Sequence, residues 1–244
     1  MGPRDPRVGP PGEGRMSTTT NTHGPRRSKI LVRGASRQEL DAALASEVDI
    51  ICVDLEDTVA DQDKDAARRL TADLMASGTR AETSVRINAV STAEGLQDLL
   101  MLREWKVRPA LVVITKVCDP YEIRLASQML PGTELFAIIE TAEGLEAAAD
   151  IARASPALTA LLLGGKDLSH SLGCERSWEG LHWARGRLVQ AAALGGVHAH
   201  DEPYRPLDDL EGLEVTCKRV KAMGYKGKAT VDLRHVPIIN RIFS

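Results

Sequence analysis

Eight short apolar runs, nearly all followed by a stretch with helical spacing, constrain this chain more than any other feature. They are KILV at 29–32, DIICVD at 49–54, TSVRIN at 83–88 and ALVVI at 110–114 in the first half. ELFAIIE at 134–140, LTALLL at 158–163, VHAH at 197–200 and KATVD at 228–232 continue the series. Most are continuously apolar rather than alternating, as expected of strands covered on both faces. The intervening stretches at about 63–77, 92–104, 120–130, 142–154, 178–194 and 208–223 carry Ala, Leu and charges at helical period. Ser36 with Glu39 three residues on reads as a capping box opening the first helix. Eight such units in roughly 215 residues predict an α/β fold, a single (β/α)8 TIM barrel over 29–244. A doubly wound open sheet is the alternative. Neither GxGxxG nor GxxxxGK[ST] follows the first strand, which removes its usual nucleotide-binding versions.

The first 28 residues are rich in Pro, Gly, Thr and Arg with no apolar stretch. They read as a disordered tail without a signal-peptide core, and Met16 is an alternative start. Over the whole chain, 31 basic residues against 34 acidic ones give a formal charge of -3, which argues against nucleic acid as a partner. Aromatic residues at 3% are too few for base-stacking platforms. No apolar run reaches the ~18 residues of a membrane span, so no membrane partner is expected. Cys52, Cys118, Cys174 and Cys217 form no CxxC pair, which fits a reducing, cytoplasmic location.

In a parallel barrel the chemistry sits at the C-terminal strand ends. Here those ends read Asp54-Leu-Glu-Asp57, Arg86-Ile-Asn88, Thr115-Lys116, Glu140, Gly164-Gly-Lys-Asp167 and His200-Asp201-Glu202. Carboxylates crowded at one mouth repel each other unless a cation sits among them, and oxygen ligands with waters suit Mg²⁺. Glu140 reads equally as an acid at a helix start, and Asp167 as an N-cap. Gly164 and Gly165 either admit a substrate close to the backbone or simply make a tight turn. His170, His198 and His200 lack zinc-ligand spacing and read as surface or rim residues, with His200 within reach of the mouth. Ser171 and Cys174 have no base partner at readable spacing.

The blocks VDIICVDLEDTVADQDKDAAR, SVRIN, AIIETAEGL, LLLGGKDLSHSLG and GYKGKATVDLRHVPIIN resemble the citrate lyase beta-subunit group. That group lies within the metal-dependent HpcH/HpaI-type aldolases and lyases, and the resemblance runs from about Arg27 to Phe243. It implies a TIM barrel in which Mg²⁺ chelates a 2-oxo acid or acyl carboxylate, with carbon–carbon bonds made or broken on thioesters. By position it implies Glu140 and Asp167 as metal ligands, and it aligns Arg86 with the family's VRIN arginine. A fixed guanidinium there suits a developing enolate oxygen, and its rival reading is a structural pairing with Asp54 or Glu56. Asp54, Glu56 and Asp57 read as supports that hold metal-bound waters or lock Arg86. Substrate is expected against Arg86, Glu140, Gly164 and Gly165. Arg33, Thr115, Lys166 and the TVDLRHVP segment depart from the family pattern, and the chain stops at Ser244 without the C-terminal extension of many members. These features predict a Mg²⁺-dependent carbon–carbon lyase acting on an acyl-CoA or related thioester through a metal-stabilised enolate. A CoA-independent 2-oxo acid aldolase and a catalytically silent scaffold are the alternatives. A homo-oligomer, with a trimer favoured, is expected through apolar residues Ile238, Ile239, Ile242 and Phe243; the alternative is that these residues pack back on the barrel of their own chain.

Overall fold

The computed structural model describes residues 24–34, 36–77 and 81–244. The strands β1 (Ser28–Arg33), β2 (Ile50–Asp54), β3 (Glu82–Ile87) and β4 (Leu111–Ile114) alternate with helices α1 (Arg37–Leu44), α2 (Lys64–Ser77) and α3 (Ala93–Glu104). Helix α4 (Pro120–Met129), β5 (Glu134–Ile139), α5 (Ala142–Glu146), α6 (Ala148–Ala152) and β6 (Leu158–Leu163) follow. The chain closes with α7 (Gly165–Leu172), α8 (Trp178–Gly195), β7 (His198–Asp201), α9 (Leu210–Met223), β8 (Gly227–Thr230) and α10 (Val236–Phe243). All neighbouring strands pair in parallel, and β1 returns to β8 through Ser28–Lys228, Lys29–Ala229 and Ile30–Thr230, so the sheet is a closed barrel.

Closure explains the unbroken apolar strands. Alternate residues of one strand serve two cores. Ile50, Cys52, Leu111, Val113, Phe136 and Ile138 are among those that fill the barrel interior. Their neighbours Ile51, Val53, Val112, Ile114, Leu135 and Ala137 face the helical ring. Local signals set the helix boundaries. Asp119 and Glu122 close a reciprocal capping box on α4 with Pro120 in its first turn.

Four differences from the sequence reading have local causes. Ser36 does accept the Glu39 N–H, but the Glu39 carboxylate turns to the Arg33 N–H and guanidinium instead of completing the box. The stretch expected as one helix over 142–154 breaks at Ala147 into α5 and α6. Helix α7 starts on a glycine and is short, so its periodicity was too brief to read. The C-terminal residues expected at a subunit contact pack inward. Ile239 and Ile242 are buried with Leu213 and Cys217 of α9, and Ile238 and Phe243 lie partly covered beside them. The apolar face of α10 is thus spent within the chain.

The tail reading of 1–28 falls mostly on residues 1–23, which lie outside the described residues. Arg26 and Arg27 are within the described part and engage the barrel floor. Arg26 donates to Glu82 and Glu134, and Arg27 donates to Asp49. Among the described residues, no helix is long and apolar enough to cross a membrane.

Candidate active site

The C-terminal strand ends converge on one mouth. Asp54, the last residue of β2, is fully buried and accepts Arg86 Nε at 2.7 Å and Nη2 at 2.6 Å. Its oxygens also accept the Thr58 hydroxyl and the Glu56 and Thr58 amides. Burial alone would raise this carboxyl, but the Arg86 guanidinium and the hydrogen bonds hold it below its ordinary value. Arg86 Nη1 lies 3.2 Å from Glu56. Burial opposes the charge on Arg86, and the two acids more than compensate, so it stays protonated. One hydrogen each on Nη1 and Nη2 has no acceptor among the described residues, so the buried guanidinium retains donor capacity.

The loop after β2 is held from beneath. Lys64 of α2 donates to the Leu55 carbonyl and to Asn88 Oδ1. Asn88, just past β3, donates to buried Asp98, which also receives Arg68. Sequence reasoning missed Lys64, Asp98 and Arg68. Their only signal was charge inside otherwise amphipathic helices.

Lys116 was noted only as a strand end, and the structure ties it to the mouth through both its backbone and its side chain. Its φ of 52° is left-handed, uncommon for a residue with a side chain. This conformation accompanies an N–H bond to Glu140 Oε1 at 2.9 Å, and Nζ reaches Glu56 at 2.5 Å. Glu56 is nonetheless raised, because burial outweighs the two cations.

Glu140, just past β5, is buried. Burial first, then the charges of Glu56 and Asp167, push its carboxyl up to about 7, against the Lys116 amide and Arg86. Its Oε2 has no donor among the described residues. Asp167, half-buried in the first turn of α7, has Lys166 Nζ at 3.9 Å as its one ion pair among the described residues. Two carboxylates with spare oxygens, one of them pushed toward protonation by burial and then by like charge, are a donor set that fits Mg²⁺. Waters and a substrate oxygen would complete its shell. No set of three His, Cys, Asp or Glu suited to a metal occurs among the described residues, which points away from an all-protein zinc site. Asp57 sits at the rim, 3.7 Å from Lys116 and 3.9 Å from Lys166.

The glycines have a different occupant from the one expected. A Cβ on Gly164 would lie 2.4 Å from Glu140 Cβ, and one on Gly165 would lie 2.1 Å from Glu202 Oε1. The Gly164 N–H is used by the Ile139 carbonyl, so it is not a free anion donor. These positions are small because the protein's own carboxylates fill the space. His200 is not at the rim either. It is buried inside the barrel against Phe136, ring centroids 5.3 Å apart, with neither ring nitrogen hydrogen-bonded. A larger cavity of about 1030 Å³ opens at the opposite end, lined by Arg27, Asp49 and Glu82. The carboxylates with spare oxygens do not face it.

Fold and site together define a parallel barrel whose mouth gathers acidic side chains around a locked arginine. The chain belongs to the HpcH/HpaI aldolase/citrate lyase family, whose profile matches residues 27–232. It is 33% identical over 225 residues to the (3S)-malyl-CoA thioesterase of Cereibacter sphaeroides strain KD131, covering 90% of this chain and 78% of that one. It is 31% identical over 232 residues to the citrate lyase subunit beta of Escherichia coli K12, covering 90% and 77%. Among solved structures it resembles CitE of Mycobacterium tuberculosis in complex with magnesium, acetoacetate and coenzyme A. That match has a TM-score of 0.75 at 27% identity, over 91% of this chain and 82% of that chain.

Proposed function

We propose that the chain is a Mg²⁺-dependent carbon–carbon lyase acting on an acyl-CoA or related acyl thioester. The observation that carries this is Glu140, a buried carboxyl with a spare oxygen, facing the charge of Asp167 beside a locked Arg86. Mg²⁺ held by Glu140 and Asp167 would supply Lewis-acid charge to a substrate oxygen. The chain's own groups do the rest. Arg86, fixed by Asp54 and Glu56, keeps two donors for the negative charge that develops as the carbon–carbon bond breaks. Lys116 fixes the Glu140 carboxylate through its amide and neutralises Glu56 through Nζ. Gly164 leaves Glu140 room to stand upright in the mouth.

The relative named a thioesterase favours a second reading on the same barrel, hydrolysis of the thioester. One assay separates them. With (3S)-malyl-CoA and Mg²⁺, cleavage releases acetyl-CoA, whereas hydrolysis releases free CoA thiol. A CoA-independent aldolase releases pyruvate from a 4-hydroxy-2-oxo acid instead. Turnover of none of these, with or without Mg²⁺, leaves the scaffold reading and overturns ours. Glu140→Gln and Asp167→Asn should each weaken Mg²⁺ by tenfold or more in calorimetry. Parent-like binding in both rejects the ligand pair. Because Glu140 is protonated below about 7, Mg²⁺ affinity should rise with pH up to neutrality and level off above. Self-association, as a trimer, and a cytoplasmic location belong to the same reading. A 26.4 kDa species in light scattering at micromolar concentration counts against the trimer.

A further inference from the structure

A second cavity, about 370 Å³, lies between α8, α9 and the loop after β7, outside the carboxylate mouth. Its wall is cationic. Arg176, Arg185, Arg205, Arg219 and Lys228 line it. The acids that face it are already engaged. Glu202 accepts Arg185 on one oxygen and Arg176 on the other. Asp201, behind the wall, accepts Arg185 on one oxygen and Lys228 on the other. Asp209, at the rim, accepts the Gly212 amide and the Tyr204 hydroxyl.

Donors remain when the acceptors are spent. Arg185 is 5% exposed, and its Nη1 is buried without an acceptor among the described residues. A buried guanidinium hydrogen left unpaired is costly, so such a group marks a place where an acceptor belongs. Arg219 rests on the Trp178 ring at 5.1 Å and Arg185 on the same ring at 5.2 Å. The ring thereby orients both cations without consuming a hydrogen-bond donor. Arg205 and Arg219 have no carboxylate partner among the described residues. These two and the unpaired Nη1 of Arg185 remain as donors, and Arg185 and Arg219 are held by one indole. Such a set suits a ligand with several acceptor oxygens and more than one charge.

We propose that this cavity binds a phosphoryl group. The volume exceeds what a single phosphate ion needs, so the group would come from a small phosphorylated molecule. It has two sources to separate: a small free phosphorylated molecule, for which pyrophosphate stands in, and the phosphates of a coenzyme A thioester. Glu202 connects the two regions, since its carboxylate lies against Gly165, the first residue of the helix that carries Asp167.

Calorimetry on the full chain in EDTA tests this without turnover, using inorganic phosphate, pyrophosphate and coenzyme A as probes. Pyrophosphate should bind at one site per chain, weakened at least tenfold by Arg219→Ala and by Arg205→Ala. Asp167→Asn should leave that binding unchanged. Both arginines are exposed, so their loss should not threaten the fold. If coenzyme A competes with pyrophosphate and is weakened by the same variants, the phosphoryl group is the coenzyme's. If coenzyme A is indifferent to them, the site serves a separate phosphorylated molecule. No saturable binding of any probe, or binding untouched by both arginine variants, overturns the proposal. Failure of the lyase assay would leave these measurements intact.

Discussion

At Arg86, charge and shape make separable demands. Lysine keeps the charge but cannot span both oxygens of Asp54 and also reach Glu56. Arg86→Lys should therefore lower kcat by about a hundredfold or more while the protein stays folded. Arg86→Ala leaves Asp54 as an uncompensated buried carboxylate and should cost about 3–5 kcal/mol in urea denaturation. An Arg86→Lys enzyme at parental rate would make the guanidinium structural only. Lys29 poses the opposite problem. It is fully buried in the barrel interior, its Nζ 5.7 Å from the Phe136 ring centre. Burial depresses it to about 8 from 10.5. The folded chain thus loses this proton more readily than the unfolded one. Stability is penalised below about pH 8 and recovers as pH rises toward 10.5. Lys29→Met, close in volume, should stabilise the protein at pH 7 by up to about 3 kcal/mol and flatten that slope. A Tm unchanged at both pH 7 and pH 10 refutes it.

At the scale of elements, β1 shows how chain ends and strands cooperate. The two arginines before it tie β1 to the floor, through Glu82 and Glu134 for Arg26 and Asp49 for Arg27. A chain starting at residue 28 should be less stable than one starting at residue 24 by about 3 kcal/mol, read from urea midpoints. Equal midpoints would mean that the ties are idle. Much of this architecture was legible in sequence, because a strand covered on both sides must be apolar throughout, and Leu158–Leu163 was found at its observed bounds. The strand ends named Asp54, Arg86, Glu140 and Asp167 because a parallel barrel delivers them to one place. What stayed hidden was contact that depends on geometry rather than pattern. The left-handed turn at Lys116 leaves no mark in its residue type, and the partners of Gly164 and Gly165 are 24 and 37 positions away. Helix α10 misled because an apolar C-terminal helix looks the same whether it covers its own barrel or a neighbour's.

Across the whole molecule, the wall of the barrel is uneven. Strands β1, β2 and β3 share five register pairs at each junction, whereas β7 shares three with β6 and two with β8. The buried pair of Asp201 and Lys228 spans the thinnest junction, the one with the fewest register pairs. A ring fails at its weakest link, so partial opening should begin between β7 and β8 while the β1–β3 arc stays shut. Deuterium exchange followed by mass spectrometry should show 198–201 and 227–230 labelling well before 50–54 and 82–87, and the reverse order rejects this. The arc that carries Asp54 and Arg86 therefore keeps its shape when the barrel breathes. The hoop yields instead on the side of the arginine-lined cavity, so anything lodged there would act as a clasp on the ring.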